Sequence, residues 1–323
     1  MQSLMDTIGN TPLVKLQYLS PNPDVTILAK LEYFNPTGSI KDRIVVHIIK
    51  RAEHCGRLAP GGTIIEATSG NTGAAAAMIG GVKGYRVILT MPDKVSKEKQ
   101  KTLLAFGAEI RVAPTSAPPD SPEHYVNLAK RLEAEIPGSF RINQYDNPLN
   151  PEAHYLTTGP EIWRQAEENI DYLVAGGSTG GTISGIGRYL KERDPWIAAV
   201  LADPAGSIYH DYFHGGKAAV GVGTPYRVEG VGEDHITKAL DWSLIDNVVR
   251  YTDADAFRTA RLLARKEGIF AGGSSGGSMW VALEIAKTAL SGTVIVVVLP
   301  DSGLKYLSKI YDDEWLTSEG ITP

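Results

Sequence analysis

The stretch TIIEATSGNTGAAAAMIGG (63–81) changes pattern twice within a few residues, and its reading decides the fold. Thr63–Ala67 is short, apolar and β-branched, as a buried strand is. TSGNTG (68–73) is a glycine turn, and the alanine run AAAAMIGG after it favours a helix. The same order recurs along the chain. Arg86–Thr90 reads as a strand and Ser96–Phe106 as a helix. Asp171–Ala175 leads into a second glycine turn, and Thr182–Lys191 continues as a helix. Ala198–Ala202 and Thr293–Leu299 are further short strands, with Ala254–Glu267 and Gly277–Leu290 as helices. Strand, turn and helix in repetition predict an α/β fold whose sheet is mainly parallel and covered on both faces. Such sheets bind ligands beyond the carboxyl ends of their strands, where the glycine turns fall.

Composition narrows the class. Of 323 residues, 43% are hydrophobic and 21% charged, which is enough apolar matter for a core and excludes a disordered chain. The net charge of −5 and the lack of a basic cluster exclude nucleic acid as an expected partner. The longest aliphatic run, Val294–Leu299, is far too short for a membrane span. The opening MQSLMDTIGN has no basic-then-apolar leader, and one cysteine, Cys55, permits no intrachain disulfide, so a cytoplasmic placement is expected. The proline-rich APTSAPPDSPEH (113–124) reads as a surface loop.

Four features carry chemistry. In NPTGSIKDR (35–43), Ile40, Ile44, Val45, Ile48, Ile49 and Ala52 fall at helical spacing, so a helix begins near Ser39, with Ser39 and Asp42 spaced as a capping box. Lys41 then sits in the first turn, where the positive end of the helix dipole favours the neutral amine, the form that a Schiff base or a proton transfer needs. The other reading is an exposed, solvated lysine. In TSGNTG, the hydroxyls of Thr68, Ser69 and Thr72 and the amides around Gly70 make a set of donors for an anion, and Asn71 adds a neutral amide. A turn with no ligand fits those residues as well. In AGGSTGGTISG (175–185), glycines allow close approach of the backbone, and Ser178, Thr179 and Thr182 can donate to phosphate oxygens. The P-loop pattern is missing and the glycine spacing is not that of a dinucleotide fold, which leaves a monophosphate. AGGSSGGS (271–278) could be packing glycine, or could set Ser274 against the edge of a ring. Together these features point to a phosphorylated ring cofactor bonded to an amine.

These motifs are recognisable. From IGNTPLVKL (8–16) to LPDSGLKYLSK (299–309), the chain resembles the cystathionine β-synthase and cysteine synthase family of pyridoxal-phosphate (PLP) enzymes, carrying GSIKDR, TSGNTG, NQYDNPLNP, STGGT, EGVG and GGSSG in that order. TTGPEIW (157–163), GRYLKE (187–192) and VEGVGED (228–234) look more like bacterial cystathionine β-synthases than cysteine synthases. The resemblance implies fold type II, of the tryptophan synthase β kind, with two α/β domains. Residues 1–39 and 150–323 would form the larger, cofactor-binding domain, and 40–149 a smaller mobile one. It implies that Lys41 bonds the cofactor and moves the Cα proton, and that Asn71 bonds the ring hydroxyl oxygen. Ser178, Thr179, Gly180, Gly181 and Thr182 would cradle the phosphate, with Ser274 against the pyridine nitrogen. Thr68, Ser69, Gly70, Thr72 and Gln144 would hold the substrate carboxylate, and Gly230 and Gly232 face the entering amino acid. A serine at the ring nitrogen, unlike an aspartate, disfavours a long-lived carbanion, so loss of the β-substituent to an aminoacrylate and addition of a thiol is the expected course.

The expected reaction is therefore L-serine, or an activated serine, plus homocysteine to cystathionine. Cysteine synthase chemistry on O-acetylserine with sulfide, and an O-phosphoserine-dependent diamino-acid precursor synthase, are the alternatives. The partners are small amino acids and thiols, and relatives are commonly homodimers. Two departures from the family pattern stand out: Ser178 replaces a usual glycine, and Ala67 a usual proline. The haem-binding extension and regulatory module of some animal relatives are not expected. No metal is expected either: His210 and His214 have metal-binding spacing but no third ligand, and are read as solvated in a mobile loop. Cys55 is read as a partly buried, inert thiol.

Overall fold

The computed structural model describes residues 3–68, 70–118, 120–216 and 223–322. Ten strands form in chain order: β1 (Leu13–Lys15), β2 (Thr26–Leu31), β3 (Thr63–Ala67), β4 (Arg86–Pro92), β5 (Glu109–Ala113), β6 (Ser139–Arg141), β7 (Tyr172–Gly176), β8 (Ala198–Pro204), β9 (Asn247–Tyr251) and β10 (Val294–Leu299). They make a six-stranded sheet in the order β1-β2-β10-β7-β8-β9 and a four-stranded sheet in the order β5-β4-β3-β6. Every neighbouring pair is parallel except β1 with β2, where Val14 lies opposite Ala29. The α/β class with mainly parallel sheets is what the repeating order of elements predicts.

Strand β10 shows why these sheets are covered twice. All six side chains of VIVVVL are buried. Alternate residues point to opposite faces. Ile295, Val297 and Leu299 join the core beneath the helices Asp253–Leu262 and Gly273–Thr288, while Val296 and Val298 join the core beneath Thr158–Gln165 and Gly181–Lys191. Full burial of each is worth about 1.5–3 kcal/mol. The four-stranded sheet repeats the arrangement on a smaller scale. Ile64, Val87 and Leu89 pack under the helices Lys41–His54 and Asn71–Lys83, and Ile65 and Ile88 face Ala129 of the helix Tyr125–Glu135.

Several expected boundaries move. The first long helix begins at Lys41, and the capping box does not form: Ser39 Oγ accepts the Lys41 N–H at 3.2 Å, whereas Asp42 takes the N–H and hydroxyl of Thr37. The helix expected from Gly277 begins at Gly273, so most of AGGSSGGS is helix and not turn. Its glycines are needed for packing, since a Cβ at Gly276 would lie 2.0 Å from the Ala256 carbonyl and one at Gly277 would lie 2.2 Å from the Tyr251 ring. His210 and His214 lie on the helix Tyr209–Gly215, and His214 Nε2 sits 2.9 Å from the Val248 carbonyl. Cys55 is exposed, because its helix ends there and turns its last residues to solvent. No helix among the described residues is long and apolar enough to cross a membrane.

Candidate active site

Strands β7 and β10 end on the same side of the six-stranded sheet, and the segments leaving them build one wall of a cavity. Ile40 donates its N–H to the Pro300 carbonyl at 2.9 Å, Ser302 donates to the Gly38 carbonyl at 3.2 Å, and Ser39 bridges Asp301. The start of the Lys41 helix is thereby clamped to the end of β10. A cleft follows, lined by Lys41, Ser178, Thr179, Gly180, Thr182, Gly230 and Ser274 among others. Burial lowers the Lys41 amine below its ordinary value, against the pull of Asp301 and Glu233. The neutral amine that the helix start favours is thus favoured by desolvation as well.

The loop after β7 presents backbone amides at the start of a helix. The first amides of a helix have no acceptor inside it, and the helix Gly181–Lys191 opens at this loop. Gly180 has φ +78°, and a Cβ on Gly181 would lie 2.0 Å from Asn150 Oδ1. The hydroxyls divide their work. Thr179 Oγ1 accepts from Asn150 Nδ2 at 3.0 Å and from the Gly181 N–H at 3.3 Å, and Thr182 Oγ1 lies 3.2 Å from His154 Nε2. Burial, with the charges of Arg43 and Lys41, holds His154 well below the usual histidine range, so its ring is neutral. Ser178, read from sequence as a phosphate donor, donates its hydroxyl hydrogen bond to Glu233 Oε1 at 2.6 Å. A carboxylate beside the loop captures the side chain that a glycine would not have offered.

The turn after β3 meets the NQY segment. Thr72 donates to Gln144 Oε1 at 2.6 Å, and Thr68, Thr72 and Gln144 are all buried. Gly70 donates weakly to Thr68 Oγ1 at 3.4 Å; Ser69 lies outside the described residues. Two residues that sequence reasoning missed hold this segment in place. Asn150 Nδ2 donates to the Gln144 carbonyl at 2.8 Å, joining it to the loop after β7. Glu66 accepts the N–H of Asn143 at 2.8 Å and of Gln144 at 3.3 Å. A lone glutamate at the end of an apolar strand was the signal available for it. The two glycines of EGVG part company. Gly230 is exposed at the cleft with open space around its Cα. Gly232 is buried, and a Cβ there would lie 2.5 Å from the Tyr226 hydroxyl and 2.6 Å from Pro204, so its lack of a side chain is needed for packing.

A desolvated lysine, a glycine-rich loop at a helix start and a buried serine line one cleft of an α/β fold, a set of groups that suits a phosphorylated carbonyl compound. Pyridoxal phosphate meets that description with a phosphate, an aldehyde that condenses with an amine, and a ring nitrogen within the class of groups a hydroxyl can bond. The chain belongs to the pyridoxal-phosphate dependent enzyme family, whose model it matches over residues 4–301. It is 46% identical to a cystathionine β-synthase of Apis mellifera over 99% of this chain and 63% of that protein. The chain thus spans under two thirds of that relative. It is 40% identical to the O-acetylserine dependent cystathionine β-synthase of Bacillus subtilis, over 96% of this chain and 97% of the relative. The crystal structure of O-ureido-L-serine synthase superposes with a TM-score of 0.88 at 37% identity, covering 98% of this chain and 99% of that one.

Proposed function

We propose that the protein exchanges the β-substituent of L-serine, or of an activated serine, for a thiol, with homocysteine as the acceptor and cystathionine as the product. The observation that carries this reading is Lys41, a desolvated amine that lines one cleft together with Ser178, Thr179, Gly180 and Thr182. Bound pyridoxal phosphate supplies the electron sink that acidifies the substrate Cα–H and lets the β-substituent leave. Lys41 Nζ takes the proton from Cα and returns it after the thiol has added. The amides of Gly180, Gly181 and Thr182 hold the phosphate, and Asn71 meets the ring oxygen. Ser274 supplies a neutral hydroxyl at the ring nitrogen, which disfavours a long-lived carbanion and so favours prompt elimination. Thr68, Ser69, Gly70, Thr72 and Gln144 fix the substrate carboxylate.

The relatives' names support serine-type donors, and the Bacillus subtilis one supports O-acetylserine. The name of O-ureido-L-serine synthase supports a second reading, in which the same β-carbon receives a nucleophile other than a thiol. The separate four-stranded sheet supports the further reading that residues 40–149 form a smaller unit that closes on the site, and that the working protein is a cytoplasmic homodimer is the reading consistent with the family. The test is Lys41→Ala in the PLP-loaded protein, assayed with each donor and thiol. Turnover should fall by at least about 100-fold, the usual worth of a general acid–base group. Turnover within a few-fold of wild type, with the fold intact by circular dichroism, would sink the proposal.

A further inference from the structure

Asn71 opens the helix Asn71–Lys83, just beyond the glycine turn of β3, and its amide is gripped at both ends by the segment that follows β10. Its Nδ2 donates to Asp301 Oδ2 at 2.8 Å, and Lys305 Nζ donates to its Oδ1 at 2.5 Å. Tyr306 donates to the same Asp301 oxygen at 2.7 Å. An ammonium can only donate and an ionised carboxylate can only accept. An amide between the two has one possible orientation, oxygen to Lys305 and nitrogen to Asp301. One hydrogen of the Asn71 NH₂ is spent on Asp301, and the second is left to be presented at a fixed angle.

Lys305 is not an ordinary surface lysine. Its stem passes Gly38, with Cε 3.7 Å from where a Cβ would stand, so it runs along the segment that leads into Lys41. Burial works against its charge, as does Lys99, while Asp301 and Asp42 favour it. A side chain held there serves the group it touches, and that group is Asn71.

We propose that Lys305 is a positioning residue: it locks the Asn71 amide and, through that polarised amide, sets the ionisation of the ring oxygen of the bound cofactor. This rests on the reading of Asn71 as the partner of that oxygen. The Lys305 charge makes the amide hydrogens more acidic and the ring oxygen easier to ionise. Loss of the charge shifts the bound cofactor toward the form with a protonated ring oxygen.

The test is the absorption spectrum of the PLP-loaded protein without substrate, for wild type, Lys305→Met and Lys305→Arg. Lys305→Met should lower the ratio of the yellow long-wavelength band to the near-ultraviolet band by roughly fivefold, while Lys305→Arg keeps most of it. Asn71→Ala should shift the ratio too, and adding Lys305→Met to it should change nothing more, because the lysine acts through the amide. A lysine that merely supports the fold would alter thermal stability and leave the ratio alone. A wild-type band that Lys305→Met leaves unchanged overturns the part given to Lys305 and spares the reading of the site. A wild type that takes up no cofactor overturns both.

Discussion

Glu66 is buried at the end of β3 and holds the backbone of Asn143 and Gln144. Burial, only partly offset by those two N–H groups, pushes its carboxyl up to about 7 from the ordinary 4.5. A carboxyl raised on folding binds its proton more tightly in the folded state. Its contribution to stability is therefore complete below about pH 4.5 and is lost as the pH climbs through about 7. The difference is roughly 3 kcal/mol at most. Glu66→Gln should flatten the decline in stability over that window, as read from urea unfolding at several pH values. A decline as steep as in wild type would mean that Glu66 is not the group responsible. Single residues divide by how legible they were in the sequence. Lys41, Asn71 and Ser274, the residues proposed to meet the cofactor, stand in motifs, because such chemistry fixes residue type and spacing together. Asn150 and Lys305 were not legible, and Glu66 showed only as a lone acid in an apolar strand, because each acts by a hydrogen bond to an element distant in the chain.

The helix Lys41–His54 carries the proposed reactive amine, and a buried ionic network fixes it two residues further on. Arg43 donates to Glu32 and Glu161, and Lys30 donates to Glu161 at 2.8 Å and to the Thr11 carbonyl at 2.7 Å. Burial would raise the Glu161 carboxyl, yet Arg43 and Lys30 hold it at about 2. Two acids and two bases balance, so removing one leaves an unpaired charge in the interior. Glu161→Ala should cost about 3–5 kcal/mol. In a scanning melt that is a loss of several degrees, with bound cofactor lost alongside; a melt within a degree of wild type would show the network to be slack. Elements were well predicted wherever periodicity was long. β3 and the helix after β7 fell within a residue of the expected bounds, and the helix after β3 began three residues before its alanine run, at Asn71. The helix at Gly273 was missed at its start, since a glycine run reads as a turn unless the Tyr251 and Ala256 packing that requires it is known.

At the scale of the molecule, chain segments from the two sheets meet over the cleft. Glu229, next to the cleft glycine Gly230, binds Lys309 at 2.5 Å after β10 and Lys99 on the helix Lys97–Ala105 beside the small sheet. The two ammonium groups hold Glu229 ionised although burial opposes it. This tie joins a helix beside the small sheet to the segment after β10, so Glu229→Ala should loosen the small sheet's side. Amide exchange in Lys97–Ala105 should rise roughly threefold while Gly273–Thr288 is unchanged, and equal protection in both proteins would show that the tie restrains nothing. The α/β class was legible from strand–turn–helix repetition, whereas a division into two sheets was expected only through the family resemblance, because neither pattern nor composition marks which strands pair. The measurement that tests the central claim most directly is the visible spectrum of the purified protein, followed on addition of L-serine, O-acetyl-L-serine and O-phospho-L-serine in turn, and then of homocysteine or sulfide. The account predicts a yellow protein whose band changes with one donor and returns when homocysteine is added, with cystathionine formed. A protein that stays colourless after incubation with pyridoxal phosphate would contradict the role of Lys41 and leave only the fold.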